Sequence, residues 1–139
     1  MNLSPGDLLV ARGWSWKAEY SQKRCKTDYK DQLAQVSRGE LDADKARPSL
    51  SIYTMLYDGS CTADELASTL ADYVATKLSS ARHIGFVTWN QLDDAGFNMA
   101  KSEPPQHHWD LFIENLDEIE EFEKLFSMFE NDDKRRLNR

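Results

Sequence analysis

The run Leu50-Ser51-Ile52-Tyr53-Thr54-Met55-Leu56-Tyr57 decides how the chain is read. Leu50, Ile52, Thr54 and Leu56 alternate with Ser51, Tyr53, Met55 and Tyr57, and both sets carry bulk. A period of two marks a strand, and bulk on both sides of it describes a central strand covered on both faces. Asp58-Gly59 ends the run. Thr62 then opens a helix, with Glu65 three residues later completing a capping box. Leu66, Leu70, Tyr73, Val74 and Leu78 recur at helical spacing as far as Ser80. A second strand follows from His83 to Asn90. This strand-helix-strand unit reads as a crossover that places two parallel strands in one sheet.

Upstream, Ser4-Pro5-Gly6 is a turn, and Asp7 to Trp16 reads as a strand in which Trp14 and Trp16 alternate with Ser15. Asp28 is placed to cap a short helix from Tyr29 to Ser37, which Gly39 ends. Residues 38–47 read as a polar, irregular segment closed by Pro48. Downstream, Asp93, Asp94 and Gly96 compose a turn, so Phe97 to Ala100 reads as a return strand of a hairpin. Pro104-Pro105 interrupts any ladder, and Trp109 to Ile113 is a further strand. Asn115 caps a last helix, with Glu118 at the capping-box position and Ile119, Phe122, Phe126 and Phe129 on its inner face. Residues 131–139 read as a frayed polar tail. The expected architecture is α+β in a single domain, 1–139. It has a mainly antiparallel sheet of about four strands and two or three helices packed on one face.

The 139 residues suffice for one core, and 40% hydrophobic with 11% aromatic content fills it. No apolar run approaches the roughly 20 residues of a membrane span. The start of the chain lacks the basic-then-apolar pattern of a secretory signal. Cys25 and Cys61 stand apart without a CxxC context, as free thiols of a reducing, cytoplasmic compartment do.

Charge is the most informative feature. The net charge is -7, and thirteen carboxylates against two lysines fall between residues 90 and 133. The acidic balance argues against binding nucleic acid through net charge. In the last helix Asp117, Glu118, Glu120, Glu121 and Glu123 lie between apolar positions, so helical geometry sends them outward. Asp93, Asp94, Glu103, Asp110 and Glu114 extend the same patch if the sheet gathers them. A solvated face explains such a helix as readily as a docking surface does.

Catalytic patterns are sparse. His107, His108 and Asp110 form a small cluster, and on a strand His108 and Asp110 share a face, but no motif supplies a third metal ligand. Lys23, Arg24 and Lys26 surround Cys25 and would lower its thiol pKa. Asp93-Asp94 resembles a carboxylate pair, although adjacent residues point apart and the composition is that of a turn. The sequence contains no phosphate loop, GxSxG elbow or HExxH. The four tryptophans serve a core or its edge.

The expected function is therefore binding. A small acidic inhibitor, of immunity-protein, antitoxin or phage-encoded character, would occupy the site of a basic partner such as a toxin or nuclease. Its contacts would be Asp93, Asp94, Asp110, Glu114, Asp117, Glu118 and Glu121, with no catalytic residue, metal, cofactor, nucleic acid or membrane involved. The alternative is a small enzyme with a site around His107, His108, Asp110 and Cys25. A flat or convex acidic face favours the first reading, and a deep cleft lined by His108 and Asp110 favours the second. Oligomeric state is open.

Overall fold

A computed structural model describes residues 3–14, 18–77, 83–102, 107–115, 117–127 and 134–136. In chain order the elements are β1 (Leu8–Trp14), α1 (Ala18–Ser37), a 3-10 turn (Ala43–Lys45), β2 (Ser49–Leu56) and α2 (Ala63–Lys77). Then come β3 (His83–Thr88), α3 (Trp89–Asp94), β4 (Asn98–Lys101), β5 (His108–Phe112), α4 (Glu118–Ser127) and β6 (Lys134–Arg136). One sheet takes all six strands in the order β4-β5-β2-β1-β3-β6, and every pairing is antiparallel. The class is α+β, as expected.

β2 lies inside the sheet, between β1 and β5, as its two bulky faces require. Leu50 and Ile52 join one buried cluster with Val10, Val87, Leu111, Phe122 and Phe126. Tyr53 joins the other, with Leu9, Ala11, Leu66, Leu70, Val74, Ile84 and Phe86. The sheet thus has two cores. α1, α3 and α4 contribute Cys25, Leu92, Ile119, Phe122 and Phe126 to the first, and α2 alone contributes to the second.

Several expectations are corrected. The sheet has six strands rather than about four, and helices cover both its faces rather than one. The crossover does place β2 and β3 parallel, but β1 lies between them and pairs with both. The second strand stops at Thr88, whose hydroxyl accepts from Gln91 N at 3.3 Å while the Gln91 side chain accepts from Thr88 N at 3.2 Å. That capping box starts α3 at Trp89, where the sequence suggested continued strand and a turn. The hairpin is consequently not β3 with its return: β4 pairs with β5. α1 begins at Ala18 rather than Tyr29. Residues 134–136, read as part of a frayed tail, pair with β3.

Local signals elsewhere hold. Asp7 N donates to Ser4 O at 2.9 Å in the first turn. Thr62 and Glu65 exchange both capping bonds at 3.1 Å. Gly39, at φ 73, terminates α1, a conformation that costs glycine least. Trp16, Leu78 to Ser80, Glu103, Pro104-Pro105 and Phe129 lie outside the described residues.

Candidate functional site

Two regions hold the residues the sequence singles out, and they lie on opposite sides of the sheet. The first is the outer surface of α3 and α4. Burial of Ile119, Phe122 and Phe126, each fully enclosed, fixes how α4 rolls on the sheet. At about 1.5–3 kcal/mol per side chain, that burial outweighs repulsion among exposed carboxylates. Asp117, Glu120 and Glu121 are therefore exposed, and Glu118 is half-buried. Asn115 Oδ1 accepts from Asp117 N at 3.0 Å, and Glu118 Oε2 accepts from Glu114 N at 3.4 Å. Glu118 thus closes the turn one residue further back than a capping box would. Lys124 pairs with Glu121 at 3.4 Å, both exposed. Asp93, Asp94 and Glu114 are exposed, and α3 packs beside α4 with Leu92 in the same core.

Glu123, one of the thirteen acidic residues, does not belong to that surface. It turns inward and forms a salt bridge with Arg12 of β1, with side chains 13% and 8% exposed. The Arg12 guanidinium also lies 5.0 Å from the Phe122 ring centroid. Burial pulls the Arg12 pKa down, and Glu123 opposes that pull.

Asp110 is the second departure. On β5, Trp109, Leu111 and Ile113 face the α4 core, so His108, Asp110 and Phe112 face the other way. The strand's period of two removes Asp110 from the acidic surface and joins it to His108. There His108 meets Tyr53 edge-on at 5.2 Å, Tyr53 meets Tyr73 at 5.9 Å, and Tyr73 meets His107 at 5.1 Å. His107 is in the left-handed region, at φ 68, and its carbonyl accepts from Thr54 N at 2.9 Å. No described residue hydrogen-bonds the buried Nδ1 of His108. Burial lowers the His108 pKa, with Asp110 opposing and Lys101 assisting. Burial raises the Asp110 pKa, with His108 opposing.

Cys25 does not join this cluster. It is fully buried in the α4-side core, with the sheet between it and the histidines. Its thiol is pushed up by burial and by Asp28, the reverse of the effect expected from neighbouring lysines, because Lys23 and Lys26 point to solvent. Among the described residues no group of three or more His, Cys, Asp or Glu side chains is arranged to hold a metal ion. Trp89 and Trp109 meet at 4.8 Å at the edge of the α4-side core, a packing role.

Sequence reasoning missed Arg12, Glu123's inward turn, Tyr53 and Tyr73. A charged residue inside the apolar run Leu8 to Trp14 was the available sign of a buried partner. The chain is an α+β protein with an antiparallel six-stranded sheet and helices on both faces. No protein-family model, curated protein or solved structure matches it.

Proposed function

We propose that the chain is a small acidic inhibitor, of immunity-protein or antitoxin character, that docks α3 and α4 on a basic, nucleic-acid-processing protein. One observation carries the reading. α4 buries Ile119, Phe122 and Phe126 completely and leaves Asp117, Glu120 and Glu121 exposed, with Lys124 paired to Glu121. Carboxylates grouped on a rigid helix can stand in for phosphates at a cleft built for nucleic acid, and their field accelerates encounter and selects the partner. Asp93, Asp94 and Glu114 extend the surface, Glu118 borders it, and Asp110 and Glu123 are excluded from it.

The test is affinity capture from an extract of the organism that encodes the chain, with identification of what is retained. Native chain and the Glu120→Lys, Glu121→Lys double variant are immobilised side by side. The expected result is a basic nucleic-acid-processing protein retained by the native chain, eluted by salt and lost with the folded variant. Retention that ignores both the charge reversal and the salt makes α4 a solvated face only.

A further inference from the structure

We infer that the half of the sheet left open by α2 is a seat for an arginine side chain of the partner, its guanidinium held by Asp110 between aromatic walls. This rests on the proposal that the partner is basic, and adds a second contact on the opposite side of the sheet from α4.

The register builds the seat. α2 packs on β1, β2 and β3, and neither β4 nor β5 contributes a residue to the core beneath it. On that side the sheet presents rows of facing residues. Asp110 has Ser51 of β2 on one flank and Ala100 of β4 on the other. Both neighbours are short, so the carboxylate lies in a trough. One strand step away, Phe112 closes one end; the opposite step reaches His108, which stands against Tyr53 and begins the ring cluster. From Phe112 to His108 is four residues, or roughly 13 Å of extended chain.

Asp110 is half-buried, yet among the described residues its carboxylate has no hydrogen bond or ion pair. Such a group is costly to leave unmatched. Burial already holds its proton more tightly than usual. An incoming cation relieves both conditions. The margins of the trough show that this surface accepts cations on its rings: Arg47 lies 4.0 Å above the Phe112 centroid, and Lys77 5.4 Å from that of Tyr73. A guanidinium fits better than an ammonium. Its planar fork can bind the carboxylate through two N–H donors while its face lies on a ring.

The experiment titrates N-acetyl-argininamide into isotope-labelled protein and follows the backbone amides of residues 49–53 and 108–112. N-acetyl-citrullinamide, the uncharged isostere, and N-acetyl-lysinamide are the controls. Saturable shifts centred on Asp110 are expected with the arginine probe, at least five-fold weaker with lysine and absent with citrulline. Asp110→Asn should abolish them, and Glu120→Lys with Glu121→Lys should leave them intact. Equal response to citrulline, equal affinity for lysine, or persistence in Asp110→Asn overturns the assignment. Since no partner protein is present and α4 is unchanged in the key variant, failure here leaves the α4 proposal standing. Failure of the α4 capture likewise leaves the trough to be judged by these shifts alone.

Discussion

Arg12 with Glu123, and His108 with Asp110, are two ionisable pairs in one sheet that the fold treats oppositely. The first lies under α4 and is matched: a guanidinium and a carboxylate in contact, largely shielded from water beside Phe122. The second lies on a part of the sheet that no described helix covers, and is unmatched. Its imidazole has a buried nitrogen that no described residue satisfies, and its carboxylate has no described hydrogen-bond or salt-bridge partner. A matched pair is expensive to break. An unmatched pair weakens the fold, and the arginine seat proposed above would give this one its match.

The largest expected effect breaks the matched side. Glu123→Gln neutralises the carboxylate that contacts the buried Arg12 guanidinium, and the loss should be about 3–5 kcal/mol by denaturant titration. A loss under 1 kcal/mol would mean that Arg12 finds water or another acceptor.

The unmatched side should respond with the opposite sign. Asp110→Asn removes a carboxylate whose burial opposes ionisation, so near neutral pH the variant should unfold at a higher denaturant concentration than the native chain. The gain should be smaller than the loss in Glu123→Gln. A gain is the result the proposed arginine seat requires, because stability is commonly given up where a group serves binding. Destabilisation would show that Asp110 is structural.

Acid sharpens the contrast. His108 has its pKa lowered in the fold, so its contribution is present above its ordinary value of 6.5 and is lost as pH falls through the folded value. Asp110, with its pKa raised, contributes the other way: stability is fullest below the ordinary carboxylate value and is lost as pH rises through the folded one. Thermal melts from about pH 7.5 to about pH 5 should therefore show the native chain weakening more than His108→Asn. Parallel curves would remove His108 from the account. The smallest effect concerns neither pair: Thr62→Ala should cost about 1 kcal/mol through its lost cap, with melting temperature as the readout.

Much of the scaffold was legible because its signals are local. β2 and α2 follow from alternation, a helical stripe and a capping box that lie within thirty residues. α1 was largely hidden because its sequence is polar with apolar residues at irregular spacing, which shows little helical period. α3 was hidden because six residues are too few for a periodic signal, although Thr88 and Gln91 spell its cap. The acidic outer face of α4 could be read from helical spacing. Glu123 could not, because its partner is 111 residues away. Asp110 was grouped with α4 by nearness in sequence, whereas alternation along β5 sends it to the other face. His108 beside Asp110 was readable from that same alternation, but the open trough depends on which strands α2 fails to cover, and that is a matter of strand order.

The proposal that α4 docks on a basic protein is tested most directly by the association rate of the captured partner across a range of ionic strength. The native chain should associate at least ten-fold faster at about 20 mM than at about 500 mM salt, and Glu120→Lys with Glu121→Lys should be slow and nearly flat. Equal rates and equal salt slopes for the two folded proteins would contradict it.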